Sequence, residues 1–227
     1  MENGSERPKP EVTECVVLFA GGDPPPRSVL DRLPTDCFVI AADSGFDHAT
    51  RLGIKVDLLV GDFDSVSARG LASAENIERH PTDKDATDLA IALNAALRRH
   101  PSKVIVVGGA GGRLDHFLAN AALLAAPEYA ELQLSWLPGQ AIIHVVRDRI
   151  ELSGSPGDLV SLLPYGGPVH GVTTAGLRWP LHDAVLTPGT SVGVSNEMVD
   201  SRATIELTDG VLLSVQPDDD YEPAEPQ

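Results

Sequence analysis

From residue 15 to about residue 126, short apolar runs rich in β-branched residues alternate with helical segments, and beyond residue 139 the helical periodicity stops. Residues 15–20, 38–42, 57–60 and 103–107 read as strands. Between them, helical segments are expected near 27–32, over 46–52 (stopped by Gly53), over 88–99 with Leu89, Leu93, Ala96 and Leu97 on one face, and over 113–126 with Leu114, Phe117, Leu118, Ala121 and Leu124 apolar. Strands separated by helices need crossover connections, which predicts a mostly parallel sheet covered on both faces. The runs at 141–146, 159–163, 190–194, 203–207 and 211–215 are separated instead by Gly, Pro and Asp, the pattern of an antiparallel β unit. The predicted fold is therefore α/β, with an N-terminal mostly parallel α/β sheet domain over 12–145. A C-terminal antiparallel β-sandwich-like domain follows over 146–217, and the polar ends 1–11 and 218–227 are expected to be disordered.

A chain of 227 residues can bury a full core. No apolar run approaches the roughly 20 residues needed to cross a bilayer, and the polar N-terminus lacks a signal-peptide centre, so a soluble cytoplasmic protein is expected. The 33 acidic and 17 basic residues leave a net charge of −16, which argues against nucleic-acid or anionic-membrane partners, since both need a positive footprint. Cys15 and Cys37 sit in apolar runs without CxxC spacing and read as buried structural thiols.

Six aspartates fall in three clusters: Asp43 in AADSG, Asp62 and Asp64 in GDFDS, and Asp83, Asp85 and Asp88 in TDKDATD. The first two follow strands, and loops at the carboxyl ends of parallel strands face one crevice where ligands bind. Converging carboxylates repel unless a cation holds them, and hard oxygen ligands suit Mg²⁺, which commonly brings a phosphorylated substrate. In an extended segment Asp62 and Asp64 point to one side. The competing reading is structural, because aspartates are common in turns and at helix caps. Asp85 or Thr87 would cap the helix that follows, whereas Lys84 adds a point cation that could meet a phosphate.

The run GGAGGRLDH joins a strand to a helix. Its glycines let backbone N–H groups approach an anion at the helix N-terminus, and Arg113 can fork onto phosphate oxygens. It matches neither G-x-G-x-x-G nor a Walker A loop. His116 reads either as a polar contact to nucleotide or as a first-turn helix residue. GxSxG, HExxH and Cys–His patterns are lacking, which gives no support to hydrolase or zinc chemistry.

In this order, AADSG, GDFDS, DKDATD and GGRLDH followed by Asn120 resemble the thiamine pyrophosphokinase family. Thr174-Ala175-Gly176-Leu177-Arg178-Trp179 is similar to that family's TxGLxW segment and Ser195-Asn196-Glu197 to its SNE segment, so the resemblance spans roughly 15–216. It implies Mg²⁺-assisted transfer of pyrophosphate from ATP to thiamine, giving thiamine diphosphate and AMP. It also implies a homodimer, with thiamine near the junction of one subunit's α/β domain and the other's β domain. By motif, Asp43, Asp62, Asp64 and Asp88 would carry or surround the metal and phosphates. Lys84, Asp85, Thr87, Arg113, Asp115 and His116 would hold the nucleotide, Trp179 would stack on thiamine, and Ser195 and Asn196 would bond nearby. Asp43, Asp62 and Asp64 are the catalytic candidates, with the proton acceptor left open between Asp43 and Asp64. One departure stands out: Ser44 occupies a position where the family often has glycine. Two rivals remain: a pyrophosphokinase for another alcohol such as a hydroxymethylpterin, and a binding module without turnover.

Overall fold

The computed structural model describes residues 13–64, 66–81, 86–111 and 113–218. Six strands form the parallel part of a large sheet: β1 (Cys15–Phe19), β2 (Phe38–Ala42), β3 (Leu58–Gly61), β4 (Ile77–Arg79), β5 (Lys103–Val107) and β6 (Gln133–Leu137). The others are β7 (Ala141–Val146), β8 (Arg149–Ser153), β9 (Leu159–Pro164), β10 (Val169–Ala175), β11 (Ala184–Leu186), β12 (Asn196–Glu197), β13 (Arg202–Glu206) and β14 (Leu212–Pro217). The large sheet runs β12-β9-β14-β7-β6-β5-β1-β2-β3-β4, and a four-stranded antiparallel sheet runs β11-β10-β13-β8.

The helices are α1 (Gly45–Leu52), α2 (Ala68–Ser73), α3 (Asp88–Leu97) and α4 (Leu114–Leu124), with a 3₁₀ turn at Arg27–Arg32. One face of the parallel sheet packs against α3, whose Leu89, Ile91, Ala92, Leu93, Ala95 and Ala96 are all buried. The other face packs under α1 through Phe46, Ala49 and Leu52. A separate core lies between the two sheets, with Val146, Val160, Leu162 and Leu212 from the large sheet meeting Leu152, Val172 and Ile205 from the small one. Alternation along β14 serves both units: Leu212 belongs to the inter-sheet core and Leu213 to the core beneath α3. The large sheet is thus continuous across residues 145 and 146, with β7 paired to both β6 and β14.

Two sequence expectations are corrected. Residues 190–194 form turns rather than a strand: Val194 N–H donates to the Ser191 carbonyl, and Gly193 has φ 91°, outside extended geometry. Cys15 and Cys37 are joined in a disulfide with a Cα–Cα distance of 4.8 Å. The cause is register. Val16 lies opposite Phe38 in the β1–β2 pair, so one step earlier Cys15 faces Cys37, a neighbour relation that spacing alone does not reveal. The bridge closes a loop over a sequence separation of 22, and loop-closure entropy assigns it about 3 kcal/mol. A reductant-dependent fall in melting temperature, absent in Cys15→Ser, is the expected result. In a reducing compartment the same pair would face each other as thiols.

Candidate active site

The site is built on two strand ends whose backbones leave extended geometry. Asp43 after β2 has φ 45° and Phe63 after β3 has φ 69°, a left-handed conformation that costs a non-glycine residue on the order of 1 kcal/mol or more. Hydrogen bonds hold both in place. Asp43 N–H donates to the Val60 carbonyl at 3.1 Å, and Phe63 N–H donates to Asp43 Oδ1 at 3.0 Å. Asp64 N–H donates to Asp62 Oδ1 at 3.1 Å. From β4, Arg79 donates to the Asp62 carbonyl at 3.3 Å and lays its guanidinium 4.7 Å from the centre of the Phe63 ring.

As a result, one donor oxygen each from Asp43, Asp62 and Asp64 lies within 4.8 Å of the others. Asp43 is buried, Asp62 half-buried and Asp64 exposed. Burial first, then the nearby charge of Asp88 and more weakly that of Asp62, push the Asp43 carboxyl up to about 6, against the single opposing bond from Phe63 N–H. Three crowded carboxylate oxygens whose innermost member resists ionisation fit a small divalent cation by charge and by donor chemistry.

Asp43 and Asp88 open onto a cavity of about 310 Å³ whose wall includes Thr87, Arg113, His116 and the Gly109–Gly111 loop. That loop is sewn to the one after β1: Gly109 N–H donates to the Gly21 carbonyl at 2.7 Å and Asp23 N–H to the Ala110 carbonyl at 2.7 Å. Asn120 and Trp136 fix it from beneath, donating to the Gly109 and Gly108 carbonyls at 2.7 and 2.6 Å. Thr87 is the cap of α3, accepting from Ala90 N–H at 3.3 Å. Arg113 is paired with Asp115 at 2.6 Å, and that pairing draws the Asp115 carboxyl down to about 2. Lys84 and Asp85 lie outside the described residues, as does Asp83.

Trp179, Ser195 and Asn196 form a second cluster, on the β-rich unit. Buried Asn196 clamps the Trp179 backbone, accepting from its N–H at 3.1 Å and donating to its carbonyl at 2.7 Å. Ser195 N–H donates to Ser161 Oγ at 3.0 Å. Trp179 is 53% exposed, with the Arg178 guanidinium 5.0 Å from the centre of its ring. Asn196 is therefore a scaffold for the loop that presents Trp179. Sequence reasoning missed Gly61 and Arg79 as parts of the site. The glycine preceding DFD was a visible signal, whereas Arg79 sits on a three-residue strand without one.

Comparison with known proteins now bears on this geometry. The family model described as thiamin pyrophosphokinase, catalytic domain, matches residues 31–135, and the one described as thiamin pyrophosphokinase, vitamin B1 binding domain, matches residues 142–212. The chain belongs to the thiamine pyrophosphokinase family. Thiamine pyrophosphokinases are ATP-dependent pyrophosphotransferases, with ATP as co-substrate. A thiamine pyrophosphokinase of Bacillus subtilis is 28% identical over 194 residues, spanning 79% of this chain and 87% of the relative. The crystal structure of the Bacillus subtilis thiamine pyrophosphokinase aligns with TM-score 0.79 at 26% identity, covering 90% of this chain and 99% of that one. A family protein from Enterococcus faecalis aligns with TM-score 0.76 at 27% identity, with the same coverages.

Proposed function

We propose that Asp43, Asp62 and Asp64 hold Mg²⁺ at a centre that moves the pyrophosphoryl group of ATP onto the hydroxyl of thiamine, giving thiamine diphosphate and AMP. The observation that carries this reading is the convergence of three carboxylates beside a glycine-rich anion loop, in a chain that also matches a vitamin B1 binding domain. When bound, the metal would neutralise phosphate charge and polarise the phosphoryl oxygens. The chain's own groups do the rest. The backbone N–H groups of Ala110 and Gly111 and the Arg113 guanidinium would orient the phosphates for in-line attack. The thiamine oxygen bonds to the β-phosphorus, the bond from that phosphorus to the AMP oxygen breaks, and the hydroxyl proton passes to a carboxylate. Asp64 supports that last role best, being the exposed member of the three and the one open to a second substrate.

The match over 142–212 disfavours a pterin acceptor. A homodimer is the proposed assembly. Trp179, Val192, Val194 and Val199 are 44–56% exposed, an apolar display on the thiamine-binding unit that a second copy would cover. A monomer by sedimentation at assay concentration would overturn the assembly. No helix among the described residues is long and apolar enough to cross a membrane, and the need for ATP supports a cytoplasmic location. The deciding assay supplies thiamine, ATP and Mg²⁺ and follows AMP and thiamine diphosphate. Absence of both products with several divalent metals would sink the activity.

Acid should weaken the metal centre. A carboxyl raised to about 6 from 3.8 stabilises the fold fully below the lower value and loses that contribution as pH rises through the upper one. Metal binding acts in the opposite sense, because it needs the ionised form. The rise in melting temperature on adding Mg²⁺ should thus be largest at neutral pH and shrink below about pH 6. Comparing melts with and without Mg²⁺ cancels the opposing contribution of His144, whose depressed pKa makes acid destabilising. A Mg²⁺ effect that stays constant through this range would remove Asp43 from the centre.

A further inference from the structure

A second cleft, of about 500 Å³, opens at the opposite end of β5 and β6 from the catalytic crevice, where the large sheet meets β8. Strand register places a polar row along this face of the sheet, of which Lys103, Ser135 and His144 line the cleft. Lys103 pairs with Gln133, two residues before Ser135, Ser135 lies opposite His144, and His144 lies opposite Ser214. Side chains at paired positions project from the same face, so Lys103, Ser135, His144 and Ser214 share one side of the sheet. On either side of the row that face is apolar: Ile105, Leu137 and Ile142 belong to one core, and Val146, Leu162 and Leu212 to another. Polar groups placed between two cores cost stability unless they are satisfied, which demands a reason for the row.

Its members are not satisfied among themselves. Ser135 Oγ lies 2.9 Å from His144 Nδ1, but Ser214 is fully buried and its Oγ has no hydrogen-bond partner. Half-buried Lys103 makes no ion pair among the described residues. Burial, then the Lys103 charge, hold the His144 imidazole down to about 4, so it is neutral at physiological pH. Carboxylates near the rim do not compensate: Glu151 is taken by Arg202, and Glu131 and Asp148 are exposed. Of the other cations lining the cleft, Arg149 is paired with Glu206, and Arg147 donates to the Ala125 and Ala126 carbonyls at 2.8 and 2.9 Å.

We propose that this cleft binds a small oxyanion, either free phosphate or the phosphate end of a larger molecule, with Lys103 supplying charge, His144 a hydrogen bond, and Ser135 fixing the tautomer and orientation of the His144 ring. With Ser135 donating to Nδ1, the neutral ring carries its proton on Nε2 and donates it toward the cleft. The chain's net charge of −16 repels anions at long range, so binding here depends on the local cation rather than on general attraction.

The test is a titration of the full-length protein with sodium phosphate, and in parallel with glycerol phosphate, at constant ionic strength near neutral pH. The probe is the imidazole nitrogen signal of His144. A saturable shift is expected, weakened about tenfold or more in Lys103→Met. In Arg113→Ala, which alters the catalytic crevice, the shift should persist. Lys103 contributes its backbone N–H to a bond with the Glu14 carbonyl, so the substitution leaves that strand contact in place. Ser135→Ala, expected to weaken binding in the same direction, serves as the second variant if Lys103→Met melts early. Tighter binding of the monoester would assign the larger ligand, and equal or weaker binding would assign free phosphate. A response that fails to saturate with both anions, or that is unchanged in both variants, overturns the site.

Discussion

Asp62→Asn should lower turnover about 100-fold or more while leaving the fold intact, because it removes one charge from the proposed metal centre. Asparagine keeps an oxygen where Asp62 Oδ1 accepts from Asp64 N–H at 3.1 Å, so the GDFDS loop retains its internal bond. The Asp62 carbonyl still receives Arg79, since that contact is to the backbone. Removing the charge also relieves part of the repulsion that raises the Asp43 carboxyl. The metal-free variant should therefore melt at or slightly above the wild-type temperature, even as its response to Mg²⁺ declines. Loss of activity joined to unchanged or raised intrinsic stability separates a metal role from a folding defect. Near-normal AMP formation by this variant would count decisively against Asp62 as a ligand.

Much of this architecture was legible because burial writes itself into local pattern. β2, β5 and β7 stand where apolar runs placed them, since central strands covered on both faces read as continuous Val, Ile and Ala. The aspartates after β2 and β3 were legible for a topological reason: parallel strands deliver their following loops to one crevice. What escaped was set by contacts distant in sequence. Cys15 meets Cys37 only once strand register is known. Leu114 and Leu118 fit a helical apolar face yet are 71% and 56% exposed, because periodicity identifies a face without saying what covers it. The run at 190–194 carries β-branched residues, but Gly193 and the left-handed Ser195 turn the chain there. Arg79 steadies the Asp62–Phe63 turn from a strand too short to show any period.

Gly61→Ala should be nearly as damaging as loss of an aspartate, although residue 61 carries no functional group. Gly61 ends β3 with φ 142°, outside the conformations that alanine readily adopts. A methyl group built there would lie 2.2 Å from Asp43 Oδ1 and 2.9 Å from its Cγ, so the carboxylate must move. Moving it breaks the bond from Phe63 N–H, which helps hold Phe63 in its left-handed conformation. The fold should lose on the order of 1–3 kcal/mol, seen as a lower melting temperature. Displacing a catalytic group by about 1 Å can cost about 100-fold in rate, so activity should fall far more than a fold still intact at assay temperature would predict. The pair of measurements distinguishes this from Asp62→Asn: both variants lose turnover, but only Gly61→Ala also loses stability without metal. If Gly61→Ala kept turnover within about threefold of wild type while its melting temperature fell, the placement of the Asp43 carboxylate would not be what catalysis depends on.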